Sequence, residues 1–238
     1  MVEKMRELWF ADLGRIGYAD ALDLQRRLVE RRLAGEVADM LLLLEHEPVI
    51  TLGTAGGEEN LLADPDKVRR AGVEIFRTDR GGNITYHGPG QLVGYPIFDL
   101  RGHGRDVHRF LRNLEQAVIE CLADLGIDSE IVPGLTGVWV GDDKICSIGI
   151  AVRKWITYHG LALNVNPNLE HWSLIHPCGL VGKRVTSIER LLGRSVDMRT
   201  VKASVVDNFA KVFALEPIHS DADSLLAEVG ASSRATVA

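Results

Sequence analysis

Ala38-Asp39-Met40-Leu41-Leu42-Leu43-Leu44-Glu45, followed after Pro48 by Val49-Ile50-Thr51-Leu52, is the stretch on which the fold turns. Both runs are short and apolar and read as strands buried on at least one face, although the leucine run alone also fits a helix. Upstream, Ala21, Leu24, Leu28 and Val29 recur at helical spacing and Gly35 closes the segment. Tyr18 to Leu33 is therefore expected to be an amphipathic helix. Downstream, Val107, Phe110, Leu111, Leu114, Val118, Cys121, Leu122 and Leu125 mark the apolar face of a second helix that starts near Asp106 and stops at Gly126. Thr136 to Val140, the turn Gly141-Asp142-Asp143 and Lys144 to Val152 predict a β-hairpin, with Trp155 to Val165 as a third strand. Val185 to Leu192 and Met198 to Phe213 read as helices, the second capped by Asp197.

At 238 residues the chain can bury a full core, and one α/β domain is expected rather than two very small ones. A composition 46% apolar and 25% charged is that of an ordinary soluble protein. The net charge of −6 disfavours non-specific nucleic-acid binding, which depends on clustered lysine and arginine. No apolar run is long enough to span a bilayer, and Met1 to Phe10 is too charged for a signal-peptide core, so no membrane role and a cytoplasmic location are expected. Cys121, Cys146 and Cys178 are odd in number and irregular in spacing, which predicts reduced thiols rather than disulfides or a CxxC metal site.

Three places carry candidate chemistry. Arg80-Gly81-Gly82-Asn83-Ile84-Thr85-Tyr86-His87-Gly88-Pro89-Gly90-Gln91-Leu92 holds four glycines, which permit close backbone approach to a ligand or an elaborate turn. It matches neither the P-loop nor the GxGxxG fingerprint. His176-Pro177-Cys178-Gly179 puts a thiol between proline and glycine, on a loop where a reactive thiol is useful; a buried apolar role is the alternative. Lys144 shares a strand face with Cys146, Ile148 and Ile150, so it could point inward or be a solvated lysine beside the turn. Cys121 and Cys146 read as core thiols. His171, His176 and Cys178 match no zinc spacing, so no metal is expected. His87 and His159, each before a glycine, could orient substrate or satisfy loop backbone.

Leu44-Glu45-His46-Glu47-Pro48-Val49-Ile50-Thr51-Leu52-Gly53, the Arg80 to Leu92 stretch, Lys144-Ile145-Cys146-Ser147-Ile148-Gly149, Thr157-Tyr158-His159-Gly160-Leu161-Ala162-Leu163-Asn164 and Pro177-Cys178-Gly179 together resemble, in order, the octanoyltransferases of lipoate biosynthesis. The resemblance spans most of the chain to about residue 190. It implies an α/β (α+β) single domain with a bent mixed sheet and flanking helices, similar to the catalytic domains of lipoate ligase and biotin protein ligase. That domain would span residues 1–230, of which 185–230 could form a small helical subdomain, leaving 231–238 as a disordered tail.

The same resemblance implies transfer of an octanoyl or lipoyl group from an acyl carrier protein thioester to the lysine of a lipoyl domain. Cys178 would be the nucleophile and Lys144 its acid/base partner. Arg80, Gly81, Gly82, Asn83, Ile84, Thr85, Tyr86, His87, Ser147, Ile148, Gly149, Gly160, Leu161 and Ala162 would line the acyl site, and His159 could help position substrate. Implied partners are octanoyl-acyl carrier protein, the lipoyl domains of 2-oxoacid dehydrogenase E2 subunits and the glycine cleavage H protein. No cofactor or metal is required, because the donor carries phosphopantetheine and its thioester is already activated. An ATP-dependent lipoate ligase and a non-catalytic carrier-binding module are the rival readings. Arg101, Arg105, Arg109 and Arg112 around one helix start suggest a basic patch for an acidic carrier protein.

Overall fold

The leucine run is a strand, and its side chains alternate between two cores. In the computed structural model, which describes residues 6–176 and 184–230, Leu41 and Leu43 enter one apolar cluster while Met40, Leu42 and Leu44 enter another. That period of two excludes the helical alternative and places the strand in the middle of a sheet covered on both faces.

The chain begins with β1 (Arg6–Ile16), crosses through α1 (Tyr18–Ala34) and returns as β2 (Asp39–His46), parallel to β1. Gly35 ends α1 in the left-handed region with φ 77°, as its position after the periodic run predicts. Next come β3 (Val49–Leu52), α2 (Pro65–Arg70), β4 (Glu74–Arg77), β5 (Ile84–His87) and β6 (Gln91–Ile97). Then follow α3 (Val107–Asp124), β7 (Glu130–Val132), β8 (Leu135–Val140), β9 (Asp143–Arg153) and β10 (Ile156–Asn164). β11 (Arg184–Val185), α4 (Ile188–Leu192), α5 (Met198–Phe213), β12 (Leu215–His219) and α6 (Ala222–Val229) complete the described chain.

A nine-stranded sheet runs in the order β12-β1-β2-β6-β10-β9-β8-β7, with β11 paired to β9. β12, β1 and β2 are parallel, whereas β2, β6, β10, β9 and β8 pair antiparallel. A three-stranded sheet, β4-β3-β5, stands apart from it. Helices α3 and α5 supply the first cluster, through residues such as Phe110, Leu114, Val205 and Phe209, and α1 and α6 supply the second. The molecule is thus a mixed α/β single domain. Asp106 caps α3 by accepting the amide of Arg109, and Asp197 caps α5 through Arg199.

Three sequence expectations are adjusted. Val185 lies in β11 beside Lys144, so only Ile188–Leu192 of the expected Val185 to Leu192 helix is helical; pairing to β9 overrides local propensity. The segment 185–230 contains helices, but it also adds β12 to the main sheet and packs α5 into the main core. β9 begins at Asp143, with Gly141 at φ 57° turning the hairpin. No helix of the described residues is long and apolar enough to cross a membrane. Tail residues 231–238 lie outside the described residues.

Because Leu42 is fully buried at the centre of the sheet, Leu42→Ala is expected to cost about 2–5 kcal/mol of unfolding free energy. Denaturant titration measures it, and a midpoint equal to that of the parent would contradict the two-faced burial.

Candidate active site

A cavity of ≈ 340 Å³ lies between the β9–β10 hairpin and the loop that precedes β5. Its hairpin wall is Ser147 to Gly149 facing Gly160 to Ala162, paired across the sheet as Gly149 with Gly160 and Ser147 with Ala162. Lys144 marks one end of this wall and His159 the other. Gly149 is five residue steps along the strand from Lys144, roughly 17 Å of extended chain.

The glycine-rich loop is laid directly on backbone. The Gly81 amide donates to the Ile150 carbonyl at 2.9 Å, and a Cβ on Gly149 would sit 2.6 Å from the Gly81 oxygen. On its other side the loop accepts the amides of Gly53, Thr54 and Ala55, and a Cβ on Gly53 would meet the Gly82 oxygen at 2.3 Å. These glycines therefore serve contact between main chains, which sets the width of the cavity. Arg80 is buried, with Nε and Nη2 donating to the Thr51 hydroxyl, Nη2 also to the Thr51 carbonyl, and Nη1 to the Gly81 carbonyl. Its guanidinium straps the loop to β3. Asn83 bonds the Ala55 carbonyl and accepts from Asn60.

A directional network of neutral groups continues from Arg80. The Thr51 hydroxyl lies 3.4 Å from His87 Nε2, and His87 Nδ1 donates to Gln91 Oε1 at 2.8 Å. Gln91 Nε2 donates to the Tyr86 carbonyl and to Asn164 Oδ1, and Asn164 Nδ2 to the Thr186 carbonyl. Burial lowers His87 well below the usual imidazole range, and coulombic coupling to His46 and to the Arg80 guanidinium lowers it further. His46 is pushed down to about 4 by burial; its Nδ1 donates to the Ile16 carbonyl and its Nε2 accepts from the Tyr95 hydroxyl at 2.7 Å. His159, at φ 56°, is also lowered to about 4 by burial, against the opposing pull of Asp79, 2.9 Å from its Nε2. Tyr18, Tyr95, His87 and His159 give the end of the cavity remote from Lys144 neutral polar groups, beside the buried Arg80 guanidinium.

Lys144 is 5% exposed. Its Nζ donates to the Thr136 carbonyl at 3.1 Å and stands 4.7 Å from the centroid of the Trp139 ring, so the ammonium is desolvated but held by a dipole and a π face. The solvated alternative for this lysine is thereby excluded. Cys178 lies outside the described residues. The described chain on either side of it is fixed: the His176 amide donates to the Asn60 carbonyl, while Arg184 and Val185 pair with Asp143 and Lys144. Cys121 and Cys146 are buried free thiols; burial raises Cys121 to about 11 and Cys146 further still, far from a thiolate at neutral pH.

Among the residues expected to line the site, Tyr86 does not. Strand period turns its ring into the cluster around Trp172, and its hydroxyl bonds His171 Nδ1 at 2.7 Å. Conversely, Tyr18, Ala55, Tyr95 and Gly134 to Thr136 line the cavity without having been read from the sequence. Gly134 offered a turn signal, but the two tyrosines are indistinguishable from core residues until the sheet brings them together. Of the expected basic patch, Arg101 is bonded to Asp99 and Arg112 to Glu115, which reduces the positive charge available there. Among the described residues no group of His, Cys, Asp and Glu is arranged to hold a metal.

Two outcomes follow from this geometry. Gly149→Ala is expected to displace the loop from β9 and to cut substrate turnover by at least about tenfold, since roughly 1 Å of misplacement can cost 10²-fold; unchanged turnover in a steady-state assay would rule out the close contact. For His46, a folded value of about 4 against the usual 6.5 means that the unfolded chain binds the proton more readily between them. Its contribution is therefore complete above about pH 6.5 and falls by roughly 3 kcal/mol on acidification to about pH 4. The stability of His46→Gln should fall less steeply over that window in denaturant titrations at a series of pH values.

Comparison with known proteins agrees with this architecture. Residues 17–210 match the family model described as the lipoyl protein ligase A/B catalytic domain. An octanoyltransferase from Caldicellulosiruptor saccharolyticus is 53% identical over 200 residues, covering 83% of this chain and 85% of that protein. Among solved structures, a lipoate-protein ligase A bound with ATP superposes with a TM-score of 0.73 at 20% identity, covering 95% of this chain and 94% of the other. Biotin protein ligase from Aquifex aeolicus gives 0.51 at 14% identity, over 88% and 70%. At such identities the two structures establish the fold alone, whereas the family match and the close relative establish kinship: the chain belongs to the octanoyltransferase family and is an acyltransferase built on the lipoyl protein ligase A/B catalytic domain.

Proposed function

We propose that this enzyme moves an octanoyl, or lipoyl, group from the phosphopantetheine thioester of an acyl carrier protein to the lysine amine of a lipoyl domain, through an acyl thioester on Cys178. The observation that carries this reading is the buried amine of Lys144 at one end of the cavity, with the chain that follows Cys178 paired alongside it at Arg184 and Val185. Cys121 and Cys146, with thiols raised by burial, are poor alternatives as nucleophiles.

In the first half-reaction the Cys178 thiolate, favoured by the nearby ammonium of Lys144, attacks the donor carbonyl. Collapse of the tetrahedral intermediate breaks the carbon–sulfur bond to pantetheine, and Lys144 gives its proton to the departing thiolate. In the second, the acceptor amine attacks the Cys178 thioester and neutral Lys144 takes the proton that the new amide nitrogen sheds. Cys178 leaves as thiolate and Lys144 is again an ammonium. The free energy resides in the donor thioester, so neither ATP nor a metal enters the balance.

The hairpin wall of Ile148, Leu161 and Ala162 suits an alkyl chain, each buried methylene contributing about 0.8 kcal/mol. Acceptors on this reading are the lipoyl domains of 2-oxoacid dehydrogenase E2 subunits and the glycine cleavage H protein, and the reaction belongs in the cytoplasm.

Intact-mass measurement after brief mixing with octanoyl-acyl carrier protein, without ATP and with a chelator, tests the proposal. An octanoyl adduct should form on the parent and discharge to added lipoyl domain, whereas Cys178→Ala should form none and Lys144→Ala should neither acylate nor transfer at a comparable rate. Strict ATP dependence would mark a ligase instead, and an adduct retained and discharged by Cys178→Ala would name another nucleophile.

A further inference from the structure

Glu115 on α3 is a fully buried carboxylate, 0% exposed, in a helix whose other inward positions are apolar. Charges are rarely kept in such places unless each oxygen is engaged, because the desolvation cost is several kcal/mol per ion. Both oxygens are engaged. Oε1 accepts the Gly137 amide at 2.9 Å, and Oε2 accepts from Arg112 Nη1 at 2.5 Å. Arg112 is half exposed, so the pair is balanced in charge with its cation reaching water.

The Gly137 amide is not an arbitrary donor. It is the N–H end of the same planar peptide whose carbonyl, on Thr136, accepts the Nζ proton of Lys144 at 3.1 Å. A carboxylate therefore holds one end of a single peptide unit and the lysine ammonium is held by the other. Because the plane is rigid, fixing the N–H toward α3 fixes the C=O toward the cavity. Alignment between an anion and a cation also polarises that peptide, strengthening both bonds.

The site needs such a clamp. Gly137 has φ 121°, a region open to glycine, and a Cβ there would lie 2.5 Å from the Cys146 oxygen and 3.5 Å from Lys144 Nζ. The register of β8 against β9 shifts next to it, between Val138 and Trp139. A glycine at a register shift leaves the 136–137 peptide with little local resistance to flipping, and a flip would turn an N–H toward the ammonium.

We propose that Glu115 is a positioning residue for Lys144, acting through the Thr136–Gly137 peptide. This inference rests on the reading of Lys144 as the acid/base group. Glu115 touches no substrate. It sets where the amine stands, so its loss falls on kcat and not on substrate affinity.

The experiment uses the full chain with octanoyl-acyl carrier protein and a lipoyl domain, comparing Glu115→Leu and Glu115→Gln in the parent and in Lys144→Arg. Leucine fills the buried volume without the hydrogen bond, and a thermal melt verifies folding; should it fail to fold, Glu115→Met, which also lacks a carboxylate acceptor, takes its place. Glu115→Leu should lower kcat roughly 10²-fold with KM within about twofold, and Glu115→Gln should recover most of that loss. In Lys144→Arg, whose residual acylation is followed by mass, neither substitution should lower the rate further, since the group they position is gone. Parental kcat in folded Glu115→Leu, or in Glu115→Met where that takes its place, or losses that multiply with Lys144→Arg would overturn the inference. Normal turnover by Lys144→Ala would instead remove the acid/base reading, which separates the two failures.

Discussion

A lysine ammonium kept out of water inside a β-sheet is the constraint around which the rest of the site is arranged. Lys144 has 5% of its surface exposed, and its Nζ stands against the Thr136 carbonyl and the Trp139 indole ring. The hairpin of β8 and β9 supplies both contacts, from Thr136 and Trp139, while α3 and its buried Glu115 brace the hairpin from behind. The buried face of α3, otherwise apolar, thus carries one charged residue, bonded to the peptide that holds the lysine.

Away from Lys144 the same low-polarity interior works differently. His46, His87 and His159 are all pushed toward neutrality by burial, and each ring is oriented by a carbonyl, amide or carboxylate neighbour. Arg80, the other charge in the wall, spends its hydrogen bonds on Thr51 and Gly81 and acts on loop shape. The cavity wall therefore carries one cation at Lys144 and another at Arg80, the second tied to backbone and hydroxyl groups and set among neutral imidazoles.

Backbone contacts give that cavity its dimensions. Gly149 against Gly81, Gly53 against Gly82 and Gly160 against the Gly94 carbonyl each bring main chains closer than a Cβ permits. The glycines scattered through the Arg80 stretch and the hairpin are thus one packing device, distributed over β3, β6, β9, β10 and the loop between β4 and β5. The lipoate-protein ligase and biotin protein ligase structures share the fold with this acyltransferase, and a fold by itself does not dictate the reaction it hosts.

Much of this was legible along the chain. The two-residue period of Met40 to Leu44, the helical periods of α1 and α3, the caps Asp106 and Asp197 and the hairpin before Lys144 are local signals, because hydrophobic period and turn chemistry act over a few residues. The order of the motifs carried the family, and the comparisons bear it out. Four features were decided by tertiary structure alone. β1 and β12, not predicted from the sequence, are strands through pairing: β12 with β1, and β1 with β2. Lys144 beside a turn is a solvated lysine by local rules, and only β11 and the β8 hairpin bury it. Tyr18 and Tyr95 join the cavity, and Tyr86 leaves it, according to which face of a strand or helix the sheet covers. Glu115 meets Gly137 across 22 residues of sequence, a pairing that no local period encodes, because a hydrogen bond between a helix and a strand exists only once the core has brought them together.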